Sequence, residues 1–234
     1  MKIIALGLIM LGFANAAFAA DKAELDNRMQ TLTAKLDAMQ QKPDKAVPAD
    51  ALRKAQGIIL LDRTKAGFIF AYEGGNGVAM VKNPKSEKWS PIAFVAANEA
   101  SLGFQVGGEQ SFYVILLMNT NATRLLTDGN MVDFSGEARG TAGTNSAGAE
   151  GKISPDNQPF LVYGDRKGLY GGAAIKGGAI SPDDQANRVY YDQYLTMREI
   201  LFEQKVQPTE AASALARKLA DYSKPRTYSK NSGN

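Results

Sequence analysis

The 234-residue chain contains no cysteine and no histidine. Their absence excludes a Ser-His-Asp triad, a cysteine nucleophile, a zinc site built on imidazole or thiolate, a disulfide and covalently attached haem. A strong surplus of one charge is also lacking, since 27 basic and 24 acidic residues leave a formal charge of +3. This balance argues against a strongly basic nucleic-acid binder. We therefore expect no nucleic-acid partner, no cofactor and no metal.

The N-terminus has the pattern of a secretory signal peptide. Lys2 precedes an apolar run over residues 3–13, and small residues and the tripeptide Ala17-Phe18-Ala19 follow. This order of charged, apolar and A-x-A segments is typical of a peptide cleaved on export, here before Ala20. The apolar run is short for an uncleaved anchor, which must cross about 30 Å of hydrocarbon. We expect residues 1–19 to be removed and the product to be exported, either periplasmic or associated with the outer membrane.

Residues 20–45 are predicted to form an N-terminal amphipathic helix and a connector. Within residues 21–41 the large apolar side chains are spaced four, three, four and three apart, which places them on one narrow stripe of a helix. These side chains are Leu25, Met29, Leu32, Leu36 and Met39. The stripe favours docking on the chain's own domain or pairing with a second copy, so a weak homo-oligomer is one expectation. A helix lying on a membrane surface is the other interpretation.

Residues 46–222 are predicted to form one domain, followed by a disordered tail over residues 223–234. After Gly57 short apolar or alternating runs are separated by turn-type residues such as Gly74-Gly75-Asn76-Gly77, and long helical patterns return only near the C-terminus. Strands joined by tight turns indicate an α+β fold, with a curved or barrel-like antiparallel sheet and flanking N- and C-terminal helices. The Gly/Ala-rich segment 136–151 fits either a long loop or a strand that another element approaches closely.

Glycine-rich and acidic segments provide no catalytic motif. Gly75-Asn76-Gly77 lacks the third glycine of a dinucleotide loop, and the Walker spacing of Gly172 and Gly177 lacks its lysine. Asp183-Asp184 is explained by helix capping, and no Asp-x-Asp-x-Asp cation loop occurs in the sequence. We therefore expect a protein that is not an enzyme.

One polar segment concentrates lysine beside the single tryptophan. Lys82, Lys85, Lys88 and Trp89 lie on a predicted hairpin tip. Lysine next to tryptophan suits an anionic membrane surface, because the ring prefers the interface while the ammonium groups meet phosphate. The other interpretation is a solvated lysine turn whose tryptophan folds back onto the core.

Five ordered segments resemble one known family. They read KAQGIILLD, KAGFIFAYEGGNGVAMVK, WSPIAFVA, SLGFQVGGEQSFYVILLMN and YYDQYLTMREIL, and the similarity covers residues 46–222. Together they are similar to the SYLF domain, also called the Ysc84 or Las17-binding-protein actin regulator family. The resemblance implies a non-enzymatic, lipid-binding module, whose eukaryotic members bind phosphoinositides and cortical actin factors.

The resemblance also implies a basic set near the first strand. The lipid-contacting helix of eukaryotic members matches residues 49–56, which offer Arg53 and Lys54, with Arg63 and Lys65 close by. We expect these residues and the lysine tip to bind anionic phospholipid headgroups in the bacterial cell envelope. An exported chain would not meet the actin machinery, so that partner is not expected. The alternative is a structural envelope protein that self-associates, or binds a partner, through its N-terminal striped helix.

Overall fold

The computed structural model describes residues 21–67, 71–101, 107–127, 132–133, 159–165, 169–170 and 179–225. These residues form six helices and eight strands. The helices are α1 (Lys22–Gln40), α2 (Ala49–Lys54), α3 (Thr120–Arg124), α4 (Asp184–Tyr191), α5 (Met197–Leu201) and α6 (Glu210–Tyr222). The strands are β1 (Gly57–Gly67), β2 (Ala71–Val81), β3 (Ala93–Ser101), β4 (Gly107–Leu117), β5 (Val132–Asp133), β6 (Phe160–Gly164), β7 (Leu169–Tyr170) and β8 (Ala179–Pro182).

All of these strands belong to one antiparallel sheet, in the order β5-β8-β3-β2-β1-β4-β6-β7. Six of them span four residues or more, and the two-residue strands β5 and β7 form the edges. Within the described residues the two edges do not pair with each other, so the sheet is open rather than closed into a barrel. The predicted α+β class with an antiparallel sheet and flanking helices is confirmed.

The apolar run at the start of β1 is unbroken because this part of the strand is buried on both faces. Ile58 and Leu60 face one side of the sheet, Ile59 and Leu61 face the other, and each is at most 1% exposed. Helices α1, α2, α4 and α6 cover the first side, whereas α3 and α5 cover the second. We call these the α1 side and the α5 side. A strand buried on both faces needs an apolar side chain at every position, and this requirement removes the alternation seen in half-exposed strands.

Helix α1 is part of this core. Asp21 caps its first turn, because its carboxylate accepts a hydrogen bond from the backbone N–H of Glu24 at 2.8 Å. All five residues of the predicted stripe are at most 2% exposed and pack among the α1-side residues. Near the C-terminal end of the helix, Asp37 accepts hydrogen bonds from Lys218 and Tyr222 of α6, each at 2.6 Å. The stripe therefore docks on the chain's own domain, and pairing of two copies through it would first require its removal from the core.

The sequence Gly74-Gly75-Asn76-Gly77, predicted as a turn, lies inside β2 instead. A β-carbon on Gly77 would collide with the carbonyl oxygen of Leu60 on β1, and one on Gly75 would lie 2.9 Å from the carbonyl oxygen of Asp62. Glycine is needed here because two strand backbones approach closely, and not because the chain reverses. Turn-type composition alone does not separate these two reasons.

Several sequence predictions fall on residues outside the described ranges. These are the signal peptide over residues 1–19, the Gly/Ala-rich segment 136–151 and the part of the tail that follows residue 225. Of the helices that the structure describes, none combines the length and the hydropathy needed to cross a bilayer.

Candidate functional site

Three strands have an end at the same place in the sheet. Gly57, the first residue of β1, pairs with Val81 at the end of β2 and with Leu117 at the end of β4. Helix α2 immediately precedes β1, the turn over residues 82–89 immediately follows β2, and α3 follows β4. We call this part of the molecule the basic end, because each of these three segments brings positively charged side chains to it.

Lys82 connects the turn to α2. Its Nζ donates a hydrogen bond to the backbone carbonyl of Arg53 at 2.9 Å and lies 5.0 Å from the centre of the Trp89 ring. Lys82 and Trp89 also form an isolated antiparallel bridge. Burial lowers the pKa of Lys82, and the nearby charge of Glu87 partly offsets this effect. Lys82 therefore acts mainly as a link between the two segments rather than as a freely solvated cation.

The Trp89 ring is partly buried and packs against the α1-side core. Of the two interpretations that the sequence allows, its position matches the one in which the ring folds back onto the core. The ring also supports Lys82 through a cation–π contact, which gains strength when the ammonium group is desolvated. Trp89 thus connects Lys82 at the basic end with the α1-side core.

The turn after β2 presents two exposed lysines. The side-chain oxygen of Asn83 accepts hydrogen bonds from the backbone N–H groups of Lys85 and Ser86, at 2.9 and 3.1 Å. The backbone of Asn83 bonds in addition to the backbones of Glu87 and Lys88. Asparagine makes such local side-chain bonds readily, which is why it often starts turns. The bonded backbone leaves the side chains of Lys85 and Lys88 exposed to solvent.

A groove with a volume of about 260 Å³ lies between this turn, α3 and α5. The charged side chains among its described lining residues are all basic, namely Lys82, Arg124 and Arg198. Three threonines and one exposed aromatic ring also line it: Thr120, Thr123, Thr127 and Phe202. A concave surface that combines cations with hydroxyl groups, and whose described lining holds no acidic side chain, suits an anionic ligand.

Arg124 and Arg198 are groove residues that the sequence analysis does not single out. Both side chains are exposed, and neither forms an ion pair with an acidic side chain of the described ranges. Glu199, the neighbour of Arg198, is engaged elsewhere: hydrogen bonds from Lys205 and from Thr196 lower the pKa of Glu199 to about 2. The two guanidinium groups therefore remain available to a ligand in the groove.

The remaining predicted residues lie in α2 and in β1. Arg53 and Lys54 lie in the last turn of α2, at the basic end, and both are exposed, although Arg53 also pairs with Asp50 one turn earlier. Arg63 lies six positions into β1 and is only 6% exposed. This burial corrects its expected place among the surface residues, because the alternation of Ile59 and Leu61 continues at Arg63 and turns it to the α5 side. Lys65 lies two positions further along β1, away from the basic end.

Several acidic side chains of the described residues have identifiable structural roles. Asp183 caps α4 by accepting a hydrogen bond from the backbone N–H of Ala186 at 3.0 Å, as the sequence predicts. Asp50 pairs with Arg53 on α2, and Asp221 pairs with Lys224 after α6. No group of three or more potential metal-binding side chains occurs in the part of the chain that the structure describes.

Similar proteins occur in vertebrates and in yeast. SH3 domain-containing YSC84-like protein 1 of Rattus norvegicus is 29% identical over 170 residues, which cover 72% of this chain and 50% of that protein. The protein of the same name from Xenopus laevis is 30% identical over 171 residues, covering 72% and 51%. LAS seventeen-binding protein 3 of Saccharomyces cerevisiae is 30% identical over 179 residues, covering 75% and 39%. The chain thus spans about half of each relative or less. No solved structure matches it significantly.

A family model described as Ysc84, Las17-binding protein actin regulator, matches residues 98–222, just over half of the chain. The match includes β4, α3 and α5, which contribute to the basic end and its groove. This description, together with the name of the yeast relative, connects the family with the actin machinery. The expectation that excluded the actin machinery from the partners is therefore wrong. The resemblance that the sequence segments indicate is confirmed, and the chain belongs to the Ysc84 family of Las17-binding protein actin regulators.

Proposed function

We propose that the chain is a non-enzymatic binding module that associates with anionic phospholipid headgroups through its basic end. The observation that carries the proposal is the placement of exposed cations from four separate segments in and around one groove. They are Arg53 and Lys54 of α2, Lys85 and Lys88 of the turn, Arg124 of α3 and Arg198 of α5.

The energy available from such a surface is modest. A lysine or arginine close to an anionic bilayer contributes about 1 kcal/mol, and this contribution falls off within a Debye length of about 8 Å at physiological salt. Arg53 contributes less than an unpaired arginine would, because it already pairs with Asp50. We therefore expect reversible binding that weakens as salt is added. The groove adds a place where one phosphate group would meet Arg124 and Arg198 together, and guanidinium groups bind phosphate through paired hydrogen bonds.

The proposal includes a setting in the cell envelope of a bacterium. Its support is the signal-peptide pattern over residues 1–19, which directs a chain out of the cytoplasm. The lipid met there would be an anionic phospholipid of a bacterial membrane, so phosphatidylglycerol is the suitable probe.

Co-flotation with vesicles tests this proposal. Protein would be mixed with vesicles of phosphatidylcholine alone or of phosphatidylcholine with phosphatidylglycerol, at low and at high salt. We expect flotation only with the anionic vesicles and mainly at low salt. Two double variants, Lys85→Glu with Lys88→Glu and Arg124→Glu with Arg198→Glu, should each reduce the floated fraction strongly.

A matched control separates the basic end from net charge. The double variant Lys22→Glu with Arg188→Glu changes the net charge by the same amount at exposed residues of α1 and α4 that do not line the groove. We expect it to float nearly as well as the unchanged protein. Equal losses in all three double variants would mean that total charge alone drives binding, and absence of flotation at low salt would refute the lipid proposal.

A second candidate function is binding to a protein of the actin machinery. The observation that favours it is the family match, together with the name of the yeast relative. Because this chain spans only 39% of that relative, the contact with Las17 that the name records can lie in the shared part or elsewhere in the yeast protein.

A binding titration with purified Las17 would test the second candidate. The yeast relative would serve as the positive control, and its matching segment alone would show whether the shared part binds. Binding by this chain and by that segment would support the candidate. Binding by the full yeast protein alone would place the contact outside the shared part and remove the candidate for this chain.

A further inference from the structure

A second cavity lies under α1, at a place separate from the groove. Its volume is about 280 Å³, and residues of α1, β1 and β2 line it. Ile58 and Leu60 face the α1 side of the sheet, and the same alternation continues along β1 with Asp62 and Thr64. The cavity therefore lies where the sheet surface under α1 changes from apolar to polar.

Two charged side chains of this cavity have unused hydrogen-bonding capacity. One carboxylate oxygen of Asp62 pairs with Lys35 of α1, whereas the other, Oδ1, is buried without a hydrogen-bond partner. Arg28 Nη1 of α1 lies 3.5 Å from Asp183 Oδ2 in an ion pair, and this buried nitrogen makes no hydrogen bond. The cavity thus offers an acceptor from the strand and a donor from the helix. Buried polar groups in this condition are rare in folded proteins and call for an explanation.

Among the side chains that the structure describes, the charges at and beside the cavity are already balanced. Arg28 and Lys35 supply two positive charges, and their partners Asp183 and Asp62 supply two negative ones. An anion would therefore be attracted by Arg28 but repelled by Asp62. A cation would be attracted by Asp62 but repelled by Arg28. What the cavity lacks is hydrogen-bond partners rather than a counter-charge.

We propose that this cavity binds a small neutral ligand with neighbouring hydroxyl groups, such as a polyol or a monosaccharide. A hydroxyl group both donates and accepts, so one ligand hydroxyl can donate to Asp62 while another accepts from Arg28. Hydrogen bonds to charged partners of this kind are stronger than those between neutral groups. The site and its ligand are independent of the proposed association with phospholipid.

Size and access agree with such a ligand. The volume lies just below the range of about 300–1,000 Å³ that holds drug-sized molecules, so the occupant must be small. Thr31, Thr64 and Asn76 line the cavity and are exposed, and they give it a polar rim open to solvent. Their hydroxyl and amide groups add further partners for a hydroxylated molecule.

Titrations followed by two-dimensional amide NMR would test the proposal. The probes would be glycerol, D-ribose and D-glucose, with inorganic phosphate and glycine as an anion and a zwitterion of similar size. We expect at least one hydroxylated probe to cause saturable shifts confined to the amides that surround the cavity in α1, β1 and β2. The variant Thr64→Leu, which adds an apolar side chain at an exposed lining position, should weaken this binding by about tenfold or more.

A matched variant and the other probes decide the outcome. Gln30→Leu places the same side chain at an exposed position of α1 that does not line the cavity, and binding should be retained. Urea unfolding of both variants would confirm that each remains folded. The proposal is overturned if no hydroxylated probe saturates, if Thr64→Leu binds as well as Gln30→Leu, or if only phosphate or glycine binds.

Discussion

Replacing Asn187 by leucine should destabilise the protein, because this side chain joins α4 to the backbone of β3. The Asn187 side-chain oxygen accepts a hydrogen bond from the Phe94 N–H at 2.7 Å, and its amide nitrogen donates to the Phe94 carbonyl at 3.1 Å. Asn187 is 1% exposed and Phe94 is fully buried, so water cannot replace these bonds. The carbonyl retains a hydrogen bond from the Asp183 N–H at 3.0 Å, whereas the Phe94 N–H loses its acceptor.

The expected loss of stability follows from these two lost hydrogen bonds. A buried donor without a partner costs about 1–3 kcal/mol, and the second lost hydrogen bond adds about 1 kcal/mol, which gives about 2–4 kcal/mol in the free energy of unfolding. Leucine also favours a helix more than asparagine does, by a few tenths of a kcal/mol, and this effect slightly reduces the loss. With a urea slope of about 2 kcal/mol per molar, the unfolding midpoint should fall by about 1–2 M.

Urea unfolding followed by circular dichroism would measure this shift. Gln185→Leu is the matched control, because Gln185 lies on the same helix and is exposed. Its midpoint should change little. A fall of less than about 0.5 M for Asn187→Leu, or equal midpoints for the two variants, would show that the bonds to Phe94 do not stabilise the fold as argued.

Two further results are expected. Gly77→Ala should destabilise the fold by about 2 kcal/mol or more, because its β-carbon would collide with the backbone carbonyl of Leu60, which cannot move easily. Gly57→Ala should destabilise the fold less, because the nearest contact of its β-carbon is the flexible end of the Leu117 side chain at 2.9 Å. Equal urea midpoints would contradict this. Burial raises the pKa of Tyr190 to about 12, above the unfolded value of about 10, so stability should hold below about pH 10 and fall as the pH rises towards 12. Tyr190→Phe should flatten that decline in urea midpoints, and an unchanged decline would remove Tyr190 as its cause.

Local periodicity is sufficient to predict much of the fold. The spacing of Leu25, Met29 and Leu32 predicts an α-helix with one buried face, and the structure has that face in the core. The unbroken apolar run at the start of β1 and the short connections between strands likewise predict an antiparallel sheet. These features depend on residues that are near each other in the chain, and the periods of helix and strand act over that range.

Features that depend on neighbours from other segments were predicted less well. The glycines of β2 have a turn-like composition, and only the approach of the β1 backbone shows why they lie in a strand. Arg63 follows Ile59 and Leu61 at intervals of two, so the alternation of β1 already indicates a position facing the α5 side. The sequence contains this signal, and the alternation predicts the burial of Arg63 in spite of its positive charge.

The candidate site was predicted in part. The turn residues Lys85 and Lys88 and the α2 residues Arg53 and Lys54 do lie at one end of the sheet. Arg124 and Arg198 were missed because they come from helices far along the chain that reach the groove only through the packing of α3 and α5. The periodicity of α5 indicates that Arg198 faces outwards, but it does not indicate which turn lies beside it.

The layered arrangement explains why both proposed sites lie where the apolar packing ends. Helices cover both faces of the central strands, so large side chains such as Leu60 and Ile59 fill the space that a ligand would need. At the basic end the strands stop, and the segments that follow them carry charge. Under α1 the strands continue, but Asp62 and Thr64 replace the apolar residues and leave a cavity. Substitutions of exposed residues at either place leave the shared core intact, so the two sites can be tested independently of each other and of stability.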